Sequence, residues 1–236
     1  MTNIDAEQST TASDLLVMVF EALIAEKFNF VVLRNYENLP NNWRNDIDIL
    51  IEPIALDKAH EIIINVLLTA KNSLLTESLK RLNYRASRCV CVDRELHIDL
   101  YSQLSKGWVS YADTGAILAA QRKYNSLFNI PDPTHELLLI AAKELFSYGK
   151  IRSRYHGCMN NMNLDLSHAA ADLIFGSCLS SRERALIVKA LTNPKIRGYL
   201  YLGTYNLFNF IAALHWARMR RNDWEIIAPS KKKSIL

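Results

Sequence analysis

The run Asp46-Ile-Asp-Ile-Leu-Ile-Glu52 constrains this chain more than any other stretch. Ile47, Ile49 and Ile51 alternate with Asp46, Asp48 and Leu50, which is the period of a β-strand. The alternation sends Asp46 and Asp48 to one face, with Cα atoms roughly 6.5–7 Å apart, and turns the isoleucines toward a core. Two carboxylates side by side on a stiff strand repel each other and need a counter-charge. Such an oxygen-rich pair suits Mg²⁺, which takes one or two carboxylates and fills its shell with phosphate oxygens and water. Asp-x-Asp alone more often marks the solvated acidic face of an edge strand. The neighbouring chain therefore decides between the two.

Upstream, Ser13 to Lys27 predicts a helix with Ser13 as N-cap and Leu15, Leu16, Val19, Phe20, Leu23 and Ile24 as its apolar stripe. Phe30-Val-Val-Leu33 then reads as a first strand, ended by Arg34-Asn35 and a loop holding Asn, Pro and Trp. Downstream of Pro53, Ala55 to Ala70 predicts a second amphipathic helix, and Leu74 to Lys80 a short third one. Tyr84 to Val92 and Glu95 to Tyr101 read as an antiparallel pair joined at Asp93-Arg94. The later strand carries His97-Ile-Asp99-Leu, so His97 and Asp99 share one face. A third carboxylate facing the way the Asp46/Asp48 pair faces is what a two-metal phosphoryl or nucleotidyl transfer site requires. His97, on the same face, could orient the acceptor or pair with Asp99.

With this order of elements, residues 13–130 resemble the DNA polymerase β-like nucleotidyltransferase superfamily. In that superfamily a Gly-Ser pair after the first strand binds the triphosphate, Asp-x-Asp follows about ten residues later, and a later strand gives a third Asp. Asp46 and Asp48 match the pair, Asp99 matches the third carboxylate, and Arg34-Asn35 stand where Gly-Ser would be. Glycine lets a backbone approach a phosphate closely, whereas arginine grips phosphate through its fork. The wording Leu33-Arg-Asn-Tyr-Glu-Asn-Leu-Pro40, Asp46-Ile-Asp-Ile-Leu50 and His97-Ile-Asp-Leu100 is similar to a bacterial branch with few characterised members. Its genes often lie in surface-polysaccharide and other biosynthetic loci, which implies a substrate neighbourhood rather than a substrate.

Charge is divided unevenly. Residues 1–142 carry 13 Lys/Arg against 18 Asp/Glu, and residues 143–236 carry 15 against 6, so a net +4 hides halves of −5 and +9. An acidic half able to hold cations beside a basic half able to hold phosphates fits a nucleotide enzyme. The densest basic–aromatic patch is Lys143, Lys150, Arg152 and Arg154 with Tyr148 and Tyr155, which could clamp a triphosphate or equally be a solvated helix end. Gly149-Lys150 is not a P-loop, because the upstream glycine is missing. Cys89, Cys91, Cys158 and Cys178 show no zinc spacing. With no signal-peptide pattern, they read as reduced thiols of a cytoplasmic protein.

Past a short helix from Asp113 to Gln121 and a strand from Tyr124 to Ile130, Pro131-Asp-Pro133 reads as a domain boundary. Thr134 would cap a helix running to Tyr148, followed by helices over Asn163 to Phe175, Ser181 to Leu191 and Pro194 to Asn222. Gly198 to Ala217 lacks Asp, Glu, Lys and Arg, yet its Asn, Thr, His and Gly residues favour a buried bundle helix over a membrane span. Trp216 to Trp224 gives that segment a second reading, as a peripheral membrane contact.

The expected fold is thus α/β (α+β): a small mixed β-sheet nucleotidyltransferase lobe with helices over residues 12–131, then an α-helical bundle lobe over 132–225. The resemblance implies a nucleotidyltransferase that moves a nucleoside monophosphate from an NTP to an acceptor, a small molecule, glycan, RNA or protein. Asp46, Asp48 and Asp99 would be catalytic and would hold Mg²⁺ or Mn²⁺; Arg34, Asn35, Lys143, Lys150 and Arg154 would bind the nucleotide, and His97 the acceptor. Two alternatives remain beside it: a toxin-type nucleotidyltransferase acting on tRNA or protein, and an inactive nucleotide-binding or scaffold module.

Overall fold

The computed structural model describes residues 10–43, 46–70, 72–106, 109–160 and 163–193, and it is a mixed α/β structure. Its contacts divide the described chain into two units: residues 10–101 with Asn125–Phe128, and residues 102–124 with 129–193. The stretch Pro131-Asp-Pro133 falls inside the second unit. Residues Pro194 to Asn222 and the Trp216 to Trp224 segment lie outside the described residues.

In the first unit, helix α1 (Ala12–Ala25) starts at Thr11 rather than Ser13. The Thr11 hydroxyl accepts from the Asp14 amide, and the Asp14 carboxylate accepts from the Thr11 amide, so two otherwise orphaned N–H groups are satisfied reciprocally. Leu15, Leu16, Val19, Phe20 and Leu23 are buried, whereas Ile24 reaches solvent. Helix α2 (Leu56–Thr69) buries Leu56, Ala59, His60, Ile63 and Leu67.

Strands β1 (Phe30–Val32), β2 (Ile47–Ile51), β3 (Leu74–Arg81), β4 (Tyr84–Val90) and β5 (Glu95–Tyr101) run in the order β3-β4-β5-β2-β1 within the sheet. The pair β2–β5 is parallel and the other neighbours are antiparallel. A parallel pair requires a long crossover, and here α2 and the β3–β4 hairpin supply it. Helix α2 packs on β3, β4 and β5, and α1 packs on β5 and on α2. Ile47, Ile49 and Ile51 face the same side as Leu96, Ile98 and Leu100, and all six are buried. Burying each such side chain contributes roughly 1.5–3 kcal/mol relative to leaving it in water. Arg85 of β4 marks that side as the helix side, because its Nη2 donates to Asp57 of α2 at 2.6 Å.

Leu74 to Lys80 is a strand and not the short helix expected there. Leu75, Ser78 and Leu79 are buried at three- and four-residue intervals that fit a helix. A shift in pairing between Leu75 and Glu77 makes the same intervals fit a bulged strand against β4. Sheet pairing overrides the local pattern here.

The second unit contains the β6 (Ser105–Lys106) and β7 (Val109–Ser110) pair, helix α3 (Thr114–Ala119), and the β8 (Arg122–Lys123) and β9 (Asn129–Ile130) pair. Of the single strand expected over Tyr124 to Ile130 only β9 is strand. Asn125–Phe128, which belong to the first unit, form a turn in which the Asn125 side-chain oxygen accepts from the amides of Leu127 and Phe128. Helices α4 (Pro133–Tyr148), α5 (Leu164–Phe175) and α6 (Ser181–Thr192) pack on one another. Asp132, not Thr134, caps α4, with Pro133 at the first helical position. Gly149 ends it at φ 68°, the left-handed geometry that glycine adopts freely.

Beyond that turn the chain is tied back to α4. Arg152 donates from Nε and Nη2 to the two oxygens of Glu144, both at 2.5 Å, and its guanidinium lies 4.0 Å from the Tyr148 ring centroid. Glu144 is 1 % exposed, so removal of Arg152 would strand a charge in the interior. Arg152→Ala is expected to destabilise the protein by about 3 kcal/mol, read as a lower urea midpoint, while Arg152→Lys should recover part of the loss.

Candidate acidic site

The side of the sheet opposite α1 and α2 carries the acidic residues. Asp48 and Asp99 are direct partners across the parallel β2–β5 pair, because each is flanked by an apolar alternation that commits its neighbours to the helix side. They are 3 % and 6 % exposed. The Asp-x-Asp run is thus an interior strand between β1 and β5 and not a solvated edge. Asp46, just before β2, is exposed.

Buried carboxylates this close are tolerated only when each has partners, and every one does. The Nε of Arg34 donates to Asp48 Oδ2 at 2.6 Å. His97 lies between the other two, with Nδ1 2.7 Å from Asp46 Oδ1 and Nε2 3.0 Å from Asp99 Oδ1. The Tyr84 hydroxyl donates to Asp99 Oδ1 at 2.7 Å and the Tyr101 hydroxyl to Asp99 Oδ2 at 3.1 Å. Asp99 therefore accepts from three side chains.

Electrostatics follow from these contacts. Burial works against a charged His97, but the hydrogen bond to Asp99 and the charges of Asp99 and Asp46 outweigh it and raise the imidazole above its ordinary value. Burial also works against a charged Asp99, yet the bonds from His97, Tyr84 and Tyr101 and the His97 charge hold its carboxyl below the usual range. Burial, reinforced by the carboxylates, pushes Tyr84 and Tyr101 upward, so both remain protonated donors.

Asp46, His97 and Asp99 each offer one ligand atom, all within 4.8 Å of one another. Two bonds of ~2.1 Å placed trans on an octahedral ion span about 4.2 Å, so a single cation would touch all three once His97 gives up a proton and a hydrogen bond that now holds it to a carboxylate. The donor set fits a divalent ion. Its carboxylates suit Mg²⁺ or Mn²⁺, and its imidazole is a ligand that manganese and later metals accept more readily than magnesium does.

The remaining expected residues are accounted for within their own units. Asn35, beside Arg34, is exposed and has φ 58°, the left-handed conformation in which asparagine is the commonest substitute for glycine. Lys143, Lys150 and Arg154 belong to the second unit. Lys143 is half-buried on α4, Lys150 is exposed after Gly149, and Arg154 stacks 4.6 Å from the Tyr155 ring centroid while bonding its hydroxyl. Asp93, in the turn after β4, accepts from the Ala12 amide at the start of α1. Burial, with Cys89 beside it, pushes the Cys91 thiol up to about 12, which keeps it protonated and unlike a metal ligand.

Tyr84 and Tyr101 are site residues that the sequence reading passed over. Tyr101 was within reach of period two, being two residues past Asp99 on the same face. Tyr84 was not, since its place opposite Tyr101 depends on the hairpin register. That register has Cys91 facing Arg94, so Val92-Asp93 and not Asp93-Arg94 form the tip.

Because His97 is raised above its unfolded value, its contribution to stability is fully present below pH ~6.5 and is lost as pH rises through the folded value. In metal-free protein, chemical denaturation across pH 5.5–9 should show a stability decline over that window that His97→Gln abolishes. No family model matches the chain, nor does any curated protein or solved structure.

Proposed function

We propose that this protein is a metal-dependent nucleotidyltransferase, with a mixed α/β lobe followed by a helical bundle lobe. The observation that carries the reading is the in-register pairing of Asp48 with Asp99, with Asp46 and His97 beside them. Three carboxylates gathered on one sheet face are costly to stability, and phosphoryl chemistry is what such a concentration of charge is good for.

In the proposed reaction an acceptor oxygen attacks the α-phosphorus of an NTP. A new P–O bond forms as the bond to the β-phosphate oxygen breaks, and pyrophosphate leaves. Asp46, Asp48 and Asp99 provide the negative charge that would attract Mg²⁺ or Mn²⁺, and Asp46, His97 and Asp99 offer the ligand atoms. When bound, the cation would neutralise charge developing on the phosphate and orient the reacting oxygens. Arg34 and Asn35, at the end of β1, are the first-unit groups suited to the phosphates. The acceptor's proton leaves to solvent water as the oxygen attacks, with the negative charge of Asp99 beside it favouring its loss. With three donors holding it below the ordinary range, Asp99 is better matched to positive charge than to acting alone as a base.

The Arg34–Asp48 ion pair favours one second reading, a nucleotide-binding module without turnover. One experiment separates the two. Wild-type protein with Mg²⁺ or Mn²⁺ and each of the four NTPs should release pyrophosphate, and Asp46→Ala with Asp48→Ala, or Asp99→Asn alone, should lower the rate by at least about 10³-fold. Pyrophosphate release that survives both changes eliminates the transferase mechanism, whereas nucleotide binding without release leaves the silent module.

A further inference from the structure

Two side chains able to carry positive charge, His97 and Arg34, pair with the aspartates of the acidic face, and these two are not equivalent. His97 sits between Asp46 and Asp99, can lose its proton, and can then offer a lone pair. Arg34 cannot lose its charge, and its Nε lies 2.6 Å from the oxygen of a carboxylate that is 3 % exposed. Separating that pair would leave Asp48 buried and uncompensated, which is strongly unfavourable. The three ligand atoms lying within 4.8 Å of one another belong to Asp46, His97 and Asp99, and Asp48 is not among them.

We propose that Arg34 serves as a built-in substitute for a second cation, so that this centre takes one divalent ion, at Asp46, His97 and Asp99, and not two. The inference rests on the metal-dependent reading above and specifies the stoichiometry of that same site. A second ion beside the first would need carboxylate oxygens that the first leaves over. Asp48, in register with Asp99, would offer them, and it is already committed to a guanidinium. The guanidinium brings one positive charge where an ion would bring two. Phosphate neutralisation then falls to Arg34 together with a single ion. Mn²⁺ suits that seat better than Mg²⁺, because one of its three protein ligands is an imidazole.

The test counts ions on the full-length chain without nucleotide. Protein freed of metal with EDTA is titrated with Mn²⁺ and bound ions are counted by equilibrium dialysis with atomic absorption. Wild type should saturate at one ion per chain. Arg34→Gln, shown folded by circular dichroism, should saturate at two, and Arg34→Lys, which keeps the charge, at one. Two ions on the wild type, one on Arg34→Gln, or two on Arg34→Lys overturns the inference while leaving the metal-dependent reading standing. If Arg34→Gln does not fold, the wild-type and Arg34→Lys counts still decide. No ion on the wild type overturns the metal-dependent reading and this inference with it.

Discussion

Everything at the acidic face depends on the parallel contact between β2 and β5. It sets Asp48 against Asp99 in register, and it does so because the isoleucines of one strand and the Leu-Ile-Leu set of the other must both face the helices. A slip of one residue would turn one of the two apolar sets away from the helices, so the hydrophobic pattern holds two like charges together against their own repulsion. The remaining contacts are consequences of that imposition. Arg34 answers Asp48, and Tyr84, Tyr101 and His97 answer Asp99. In a low-dielectric setting each answer is worth more than at the surface, and each omission would cost more.

Those partners also divide the labour among carboxylates that look alike in sequence. Asp48 is neutralised by a group that is always charged. Asp99 is held by two phenols that cannot change charge near neutral pH and by an imidazole that can. Asp46 is exposed and has His97 as its partner. The aspartate that is easiest to engage is thus the one nearest solvent, and the buried pair forms its fixed backdrop. Preorganisation of this kind lets a site meet developing charge without rearranging.

Period two carried a good deal of this from the sequence. The shared face of Asp46 and Asp48, the shared face of His97 and Asp99, helices α1 and α2, and the strand character of β2, β4 and β5 were legible because each repeats its apolar residues at the period of its own element. What escaped was non-local or degenerate. The Leu75–Leu79 spacing fits both a helix and a bulged strand, and pairing with β4, invisible in the segment itself, made the choice. Tyr84 reaches Asp99 only because the hairpin tip lies one residue earlier than its Asp-Arg sequence suggested. The α1 and α4 caps moved upstream to Thr11 and Asp132, where an acceptor and a favourable first-turn residue coincide. Arg34 was legible as a phosphate-binding candidate, but its pairing with Asp48 required the bend after β1 that brings it back over β2.

The crossover between β2 and β5 has a kinetic side as well. The two halves of the acidic centre are joined through a helix and a hairpin, so neither can organise it locally. Chain closure over that distance must come before the pairing that rewards it. Arg34 and Asp48, close in sequence and joined through the antiparallel β1–β2 contact, can meet sooner. The nascent chain can therefore quench its first buried carboxylate before the second arrives. An ordering of this kind would spare the folding protein an interval in which two unmatched negative charges are driven together inside a collapsing core.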